Sequence, residues 1–297
     1  MTTFEVAEGV FGIDIGMFDT GVTSVYLFDD EEPTLVDAGT AASAGRLMEG
    51  LSACGVAPAD LEHLVLSHVH TDHSGGAGAL VDAAPELNVH IHELTASHLA
   101  DPAGLVESSR RAMGEHFSEM GEQGPVPEGN IVTVSDEGTT LDIGANTLEL
   151  VHAPGHSPDH FAVWNPERDL LFAAECLGMQ FRDVDRWIPP ASLPNFSVAR
   201  IGGAIDRLRE LDPERIVFPH FGVWPDEPAA AFETAERELQ RFDERILELH
   251  EGADSREGTK TAVAAELIDI APPYDERVES FYASLITDGF LKDHGIE

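Results

Sequence analysis

The sequence predicts an α/β protein in which two sheets are covered by helices and followed by a helical C-terminal extension. Short apolar segments with strand character recur between residues 10 and 218, and segments with helical periodicity lie between them. After Pro225 the composition changes to the helix-forming residues Ala, Glu, Leu and Arg. We therefore expect one domain at residues 1–225 and a helical extension at residues 226–297.

Strands and helices alternate in the first half of the chain. Four short segments have strand character and are separated by turns: Val10–Ile15, Val22–Phe28, Thr34–Val36 and Leu64–Leu66. A helix is predicted from about Ala42 to Cys54, and another begins within Gly75–Ala79. Asn88–His92 is one more strand, and the pattern from Glu93 to about Gly121 is helical.

The second half of the chain continues this alternation. Strands are predicted at four segments that each end in a turn signal: Ile131–Val134, Thr147–His152, Phe161–Trp164 and Leu170–Ala173. Ser197 is a candidate N-cap for a helix that runs to about Leu211. Ile216–Phe218 is the last apolar strand before the extension. Strands and helices in this order predict two sheets with helices packed on them.

The protein is strongly acidic. Its 17 basic and 55 acidic side chains give a formal net charge of −38, and Lys260 and Lys292 are the only lysines. Apolar residues are frequent and periodic, so we expect a folded protein rather than a disordered one. High salt screens charge repulsion over a short Debye length, and we interpret this composition as a halophilic adaptation. The same charge argues against a nucleic-acid partner, because no basic stripe is present to receive phosphates.

Membrane and disulfide classes are excluded by further observations. No apolar run approaches the ~20 residues needed to cross a bilayer. Met1–Glu5 lacks the basic and apolar segments of a signal peptide, so we expect cytoplasmic localisation. Cys54 and Cys176 form no CxxC pair, which argues against a disulfide framework and a cysteine-rich zinc site.

The run His68-x-His70-x-Asp72-His73 is the main chemical signal, and it directly follows a predicted strand. The period of two in an extended chain turns His68 and His70 in one direction, while Asp72 and His73 can reach a second point nearby. Imidazole and carboxylate groups are ligands of zinc, iron and manganese, and catalytic sites keep one position open for water. A polar turn that happens to be rich in histidine is the weaker alternative.

Three further segments place a candidate ligand at the end of a strand. His156 follows a Pro-Gly turn, and Glu175 and His220 each follow an apolar strand. In this order the motifs resemble those of the metallo-β-lactamase-fold superfamily, whose early strand-end Asp-x-Gly is matched by Asp37-Ala38-Gly39. The resemblance covers most of residues 10–222, and it implies an αββα sandwich with a metal site at the edges of the sheets.

The resemblance also implies a ligand set for two divalent metal ions, zinc as the first choice, with iron or manganese as alternatives. The two sets are His68, His70 and His156 for the first metal, and Asp72, His73 and His220 for the second. Glu175 stands where the family has an aspartate that bridges both metals. The glutamate is one methylene longer. It therefore bridges after a backbone adjustment, binds one metal only, or leaves the second site weak, and the sequence leaves these alternatives open.

The activity implied by the resemblance is hydrolysis. A metal-bound hydroxide attacks a thioester, ester or lactone of a small-molecule substrate, and Asp72 is expected to be catalytic as well as a ligand. Among subtypes, the HxHxDH run resembles the hydroxyacylglutathione hydrolase-like proteins. The alternatives are a phosphodiesterase and an iron-dependent, sulfur dioxygenase-like redox enzyme. Whether the protein forms a homo-oligomer is also left open.

Several neighbours of the motifs have two interpretations. Asp37 is either an anchor for a metal ligand, as the resemblance implies, or a simple turn residue. His152 and His160 flank the Pro-Gly-His turn and are either hydrogen-bond partners of ligands or residues with capping or core roles. The remaining histidines, His92 among them, are interpreted as ordinary surface or interior residues. The helical segment Glu93–Pro127 is expected to cover the site.

Overall fold

Two β-sheets stacked face to face form the centre of the fold in the computed structural model, which describes residues 3–18, 21–181, 184 and 186–296. Helices cover the outer face of each sheet, so the layers follow the order α/β/β/α. The predicted αββα sandwich is therefore confirmed.

The first sheet follows the order of the chain. Its strands are β1 (Thr3–Ala7), β2 (Val10–Asp14), β3 (Ser24–Phe28), β4 (Thr34–Val36), β5 (His63–Val65), β6 (Asn88–His92) and β7 (Ile131–Val134). From β1 to β4 neighbours are antiparallel, and from β4 to β7 they are parallel. Parallel neighbours need a crossover connection. The helices that lie within these crossovers are α1 (Ala44–Ala53), α2 (Thr71–Ser74), α3 (Ala77–Ala83), α4 (Ala96–Ala100), α5 (Ala103–Met113) and α6 (Phe117–Met120).

The second sheet begins directly after the first along the chain. Its first strands are β8 (Thr139–Asp142), β9 (Thr147–His152), β10 (Phe161–Asn165) and β11 (Leu170–Phe172). A separate ribbon of β12 (Met179–Gln180) and β13 (Trp187–Ile188) follows. The sheet is completed by β14 (Arg215–Phe218) and β15 (Gly222–Val223), in the order β15-β14-β11-β10-β9-β8. β14 pairs with β11 in parallel after the helix α7 (Val198–Arg209).

The apolar core between the sheets joins residues from both. Tyr26, Val36 and Val65 of the first sheet share one buried cluster with Phe161 and Phe172 of the second. Full burial of each large apolar side chain contributes about 1.5–3 kcal/mol to folding. This shared core brings the ends of strands from the two sheets close together.

The C-terminal extension is helical, as predicted. It contains α8 (Pro228–Gly252), α9 (Arg256–Val263), a π-helical segment at Ala264–Ile268 and α10 (Glu276–Asp293). Phe242 and Phe290 of the extension lie in the same buried cluster as Leu171 and Phe218 of the second sheet. The extension therefore packs on the outer face of that sheet, while the boundary at residue 225 stays a prediction. In the part of the chain that the structure describes, no helix is both long and apolar enough to cross a membrane.

Two features of the fold differ from the sequence predictions. The edge strands β1 and β8 were not predicted. The side chains of Thr139–Asp142 are almost all exposed, so β8 lacks the apolar alternation of a half-buried strand. The helix predicted from Glu93 to Gly121 is divided into α4, α5 and α6. It is interrupted at Pro102, which disfavours helical backbone in the residue before it, and at Gly114, which has a φ of +54°.

Candidate metal centre

The candidate ligands lie where parallel strands end. β4 and β5 are parallel, as are β11 and β14, so the carboxyl ends of each pair lie at one edge of their sheet. The segments after β5, β9, β11 and β14 carry the seven side chains that the sequence predicted. These form two adjoining clusters: a first cluster of His68, His70, His156 and Glu175, and a second cluster of Asp72, His73 and His220.

In the first cluster, three imidazole nitrogens face one another closely. Nε2 of His68 lies 2.9 Å from Nδ1 of His70 and 3.1 Å from Nε2 of His156. The third side of this triangle, between His70 and His156, is 2.9 Å. His68 and His156 are buried and His70 is half-buried. This spacing suits three nitrogens that share one metal ion, because metal–nitrogen bonds of zinc are about 2.0–2.1 Å long.

In the second cluster, a carboxylate faces two imidazoles. Oδ2 of Asp72 lies 3.6 Å from Nε2 of His73 and 3.6 Å from Nε2 of His220. Both rings are buried, whereas Asp72 is half-buried. Asp72 and His73 lie in the first turn of α2, which begins directly after His70. The change from extended backbone to helix at this point separates the run into the two clusters.

The Glu175 carboxylate lies between the clusters. Its Oε2 is 2.8 Å from Nε2 of His156 and 3.4 Å from Nε2 of His73, and its Oε1 is 3.7 Å from Nε2 of His220. The preceding residue, Ala174, has a φ of +45°, in the left-handed region that favours glycine. At these distances the carboxylate contacts imidazoles of both clusters.

Two buried atoms of this site lack an aligned hydrogen-bond partner among the described residues. They are Nε2 of His73 and Oε2 of Glu175. A buried polar atom without a partner costs about 1–3 kcal/mol, and a bound cation would satisfy both atoms at once. Imidazole and carboxylate groups are also the donors that zinc, iron and manganese take. The two clusters therefore fit a dinuclear metal site.

Asp37 fixes the orientation of His73. Its Oδ2 lies 2.7 Å from Nδ1 of His73, and the carboxylate accepts hydrogen bonds from the Ser67 backbone N–H at 2.8 Å and the Ser67 hydroxyl at 3.0 Å. A carboxylate that accepts the Nδ1 proton leaves the other ring nitrogen free to bind metal. Asp37 therefore has the contacts expected of an anchor for His73, a candidate ligand.

Backbone carbonyls orient two more rings. Nδ1 of His156 lies 2.7 Å from the carbonyl oxygen of Pro190, and Nδ1 of His220 lies 2.9 Å from that of Val22. Because a carbonyl oxygen can only accept, each Nδ1 carries a proton and each Nε2 is directed to its cluster. The Thr23 hydroxyl lies a further 3.1 Å from Nδ1 of His220.

His160 supports the backbone of Glu175. Its Nδ1 lies 3.1 Å from the carbonyl oxygen of Ala153, and its Nε2 accepts the backbone N–H of Glu175 at 3.1 Å. Burial, followed by the neighbouring His156, lowers the pKa of His160 to about 3, which keeps the ring neutral as this pair of bonds requires. Of the two interpretations of His160, contact with a candidate ligand is confirmed.

The electrostatics of the clusters favour positive charge between the carboxylates. Burial and the neighbouring histidines lower the pKa of His68, and burial lowers that of His70 to about 4. Burial also acts to lower the pKa of His156, but the Glu175 carboxylate outweighs it and raises the pKa. Burial acts to raise the pKa of Glu175, and the nearby imidazoles reverse this and hold it well below its usual range. The site thus contains ionised carboxylate that attracts cations.

A third group of candidate ligands lies at the ends of β6, β7 and β9, and we call it the His92 cluster: His92, Asp136 and His152. Nδ1 of His92 accepts the backbone N–H of Leu94 at 3.1 Å, so a neutral ring carries its proton on Nε2, which lies 2.9 Å from Oδ1 of Asp136. Nε2 of His152 lies 2.9 Å from the carbonyl oxygen of Pro158. Both nitrogens of His92 are therefore used within the protein. The interpretation of His92 as an ordinary interior histidine agrees with these contacts.

The surroundings of the site include groups that the sequence did not indicate. The carbonyls of Val22 and Pro190 are invisible in a sequence, because any residue has one. Tyr282 of α10 lies with its ring centroid 6.2 Å from that of His220. Burial, together with the charges of Asp72 and Glu175, raises the pKa of Tyr282 well above its usual value. α5, in the segment interpreted as a cover, contacts the HxHxDH run, because the Ser109 hydroxyl lies 2.8 Å from that of Thr71.

Comparison with known proteins identifies the fold. The family model of the metallo-beta-lactamase superfamily matches residues 18–220. A solved archaeal protein of this superfamily from Sulfolobus tokodaii is similar with a TM-score of 0.71 at 20% identity, covering 96% of this chain and 98% of that chain. A probable metallo-hydrolase of Bacillus subtilis is 25% identical over 229 residues, which is 69% of this chain and 68% of that protein.

Shorter matches connect the chain to proteins with named activities. An N-acyl homoserine lactonase of a Bacillus species is 25% identical over 159 residues. An atrochrysone carboxyl ACP thioesterase of Aspergillus aculeatus is 32% identical over 115 residues, and a rubredoxin-oxygen oxidoreductase of Megalodesulfovibrio gigas is 25% identical over 165 residues. The matches cover 52%, 39% and 55% of this chain, and 53%, 27% and 35% of those proteins, respectively.

Proposed function

The chain belongs to the metallo-beta-lactamase superfamily, and we propose that within it the protein is a hydrolase that uses two divalent metal ions to cleave a thioester, ester or lactone of a small molecule. The observation that carries this proposal is the position of the Glu175 carboxylate, 2.8 Å from a histidine of the first cluster and 3.4 Å from one of the second. A carboxylate between two ligand clusters suits two ions a few ångströms apart, an arrangement that supports hydrolysis.

We assign the ligands as the sequence predicted. His68, His70 and His156 would hold the first ion, Asp72, His73 and His220 would hold the second, and Glu175 would lie between them. Two such ions supply a water of lowered pKa and positive charge for the oxyanion. The proposal takes zinc as the metal, because the donors are imidazoles and carboxylates and zinc adds no redox chemistry.

One carboxylate and two backbone carbonyls hold the protons of the candidate ligand histidines in place. Asp37 and the carbonyls of Pro190 and Val22 retain protons on the outer nitrogens of three histidines, so those rings stay oriented through the reaction. Asp72 is half-buried, at the accessible side of the centre. We assign its carboxylate to accept a proton from the attacking water and to return it to the leaving group.

The substrate class is supported by two of the relatives. The lactonase and the thioesterase act, by their names, on a lactone and on a thioester. Both reactions begin with attack of water on an acyl carbon, although the leaving group is an alcohol in one and a thiol in the other. The shared chemistry is therefore acyl transfer to water, and we propose this class for the present chain.

A second candidate is an iron-dependent redox enzyme. The relative that favours it is the rubredoxin-oxygen oxidoreductase, whose name states a reaction with oxygen. The same imidazole and carboxylate donors bind iron as well as zinc. The two candidates therefore differ in the metal and in the consumption of oxygen, and both differences are measurable.

The test combines metal analysis with a substrate panel. The protein is purified in molar KCl, its metal content is measured by mass spectrometry, and it is assayed with phenyl acetate, an S-acyl thioester, an acyl homoserine lactone and bis-p-nitrophenyl phosphate. We expect about two zinc ions per chain, turnover of an acyl substrate, loss of turnover after chelation and recovery with zinc. Iron together with oxygen uptake would support the second candidate, and turnover of the phosphodiester alone would contradict the acyl class.

A further inference from the structure

The hydroxyl of Tyr282 is a buried polar group beside the metal centre that no described residue satisfies. Tyr282 lies on α10 and is 2% exposed, and its hydroxyl oxygen is buried without a hydrogen-bond partner in the described part of the protein. Leaving such a hydroxyl unpaired costs about 1–3 kcal/mol. A phenylalanine in the same place would avoid this cost, and among the described residues the hydroxyl is left available to a bound ligand.

Packing fixes the Tyr282 ring against the second cluster. The ring packs edge-on against Phe181 and Phe281, each at 5.1 Å between centroids, and against His220 at 6.2 Å. His220 is a candidate ligand of the second cluster, so this edge-to-face contact places Tyr282 directly beside the metal centre. A group held by three aromatic neighbours cannot turn away to solvent without breaking these contacts.

Tyr274 provides the contrast within the same extension. It is also buried, and its ring centroid lies 5.6 Å from that of Phe181, the residue that Tyr282 contacts as well. Its hydroxyl, however, donates a hydrogen bond to the carbonyl oxygen of Gly21 at 2.9 Å. Two tyrosines of similar burial therefore differ in one respect: the hydroxyl of Tyr274 stabilises the fold, and that of Tyr282 does not.

We propose that the Tyr282 hydroxyl donates a hydrogen bond to the acyl oxygen of the substrate, so that the C-terminal extension completes the catalytic site. This inference rests on the proposed acyl hydrolysis. Negative charge develops on that oxygen when water adds to the acyl carbon, and a fixed donor in a water-poor site stabilises it. Tyr282 lies outside residues 18–220, which the superfamily model matches, so this donor would come from the C-terminal extension.

The reaction balances without an oxidant or reductant. The oxygen of water forms a bond to the acyl carbon, and the bond from that carbon to the leaving sulfur or oxygen breaks. One proton of the water passes to the leaving thiolate or alkoxide, and the other is released as the carboxylic acid ionises. Tyr282 keeps its own proton throughout and acts by hydrogen bonding alone.

The experiment compares Tyr282→Phe with the matched control Tyr274→Phe in the full-length protein. For Tyr282→Phe we expect kcat on an acyl substrate to fall about 10²-fold, as for loss of one oxyanion donor, with little change in KM or metal content. Its Tm after metal removal should not decrease, because the hydroxyl bonds none of the described residues. For Tyr274→Phe we expect a Tm lower by about 2–4 °C and an unchanged kcat.

A binding measurement separates this inference from the proposed function. Methylphosphonate resembles the tetrahedral oxyanion, and its affinity for the metal-loaded protein should fall about tenfold in Tyr282→Phe and remain unchanged in Tyr274→Phe. If the wild-type protein hydrolyses no acyl substrate, the proposed function fails, while a weakened affinity for methylphosphonate still supports an oxyanion donor. Unchanged kcat and methylphosphonate affinity in Tyr282→Phe, or a Tm loss equal to that of Tyr274→Phe, would overturn the inference.

Discussion

The metal centre and the His92 cluster combine the same kinds of side chain at strand ends, yet the hydrogen bonds of His92 have the opposite arrangement to those of His156 and His220. In the metal centre, the Nδ1 atoms of His156 and His220 donate to backbone carbonyls, and the Nε2 atoms are turned inward. In the His92 cluster, Nδ1 of His92 accepts a backbone N–H, and Nε2 is left to donate to Asp136.

This difference teaches that proximity of histidines and carboxylates does not define a metal site. What matters is which ring nitrogen keeps its lone pair, and the second hydrogen bond of each ring decides that. When one ring nitrogen donates to a carbonyl or carboxylate, the other nitrogen keeps its lone pair for a metal ion. When one ring nitrogen accepts a backbone N–H, the other nitrogen of a neutral ring carries the proton and cannot bind metal. The comparison leads to three predictions, each with a control, ordered from the largest expected effect to the smallest.

Removal of one ring from each region should have opposite results. We expect His156→Ala to reduce hydrolysis by roughly three orders of magnitude or more, because it removes a ligand of the first ion. His152→Ala should keep its metal content and activity and lose about 1 kcal/mol of stability with its bond to the Pro158 carbonyl. Measurements of kcat/KM, metal content and circular dichroism decide the outcome. Normal turnover by a folded His156→Ala protein would contradict the assignment.

The Glu175 carboxylate should be needed for the second ion in particular. Glu175→Gln replaces an anion between two cations with a neutral amide, so metal content should fall from about two ions per chain toward about one, and hydrolysis should fall with it. Glu175→Asp keeps the charge and should retain both ions if the shorter side chain reaches them. Metal analysis of both variants is the check, and a Glu175→Gln protein with two ions and full activity would show that this carboxylate is not a ligand.

The smallest effect is expected from the carboxylates behind the rings. Asp37→Asn weakens the acceptor of the His73 Nδ1 proton, and we expect metal affinity to fall about 10–100-fold. Asp136→Asn makes the equivalent change in the His92 cluster, and we expect no change in metal affinity. Competition with a chelator measures both variants. Equal affinities would mean that the hydrogen bonds behind the rings do not distinguish the two regions.

The sequence predicted the two clusters of candidate ligands because much of the set is local. The HxHxDH run lies at the end of one strand. The alternation of side chains in extended backbone and the helix turn that follows determine where its four side chains point. His156, Glu175 and His220 were found from turn and strand signals. The sequence leaves the role of Glu175 open because the reach of one additional methylene depends on the tertiary structure, which brings its carboxylate to both clusters.

The contacts that complete the site were not predictable in the same way. The Pro190 and Val22 carbonyls are backbone groups that every residue has. Their contacts with His156 and His220 are formed only by the tertiary structure. Tyr282 is 62 positions after His220, on a helix whose periodic pattern predicts burial and nothing about its neighbours. Two features were missed for local reasons. The side chains of β8 are mostly exposed, so the strand has no apolar pattern, and the predicted covering helix is interrupted at Pro102 and Gly114.

The apolar cluster under the extension has a consequence for how the molecule unfolds. Phe242 and Phe290 are packed in one cluster with Leu171 and Phe218, so separating the extension would expose the second sheet and the strand that precedes His220. Contacts of this kind make neighbouring elements open together as one cooperative unit. The composition change near Pro225 therefore marks a boundary in the chain and not in the folding reaction, and amides of α10 and β14 are expected to exchange with solvent through the same opening.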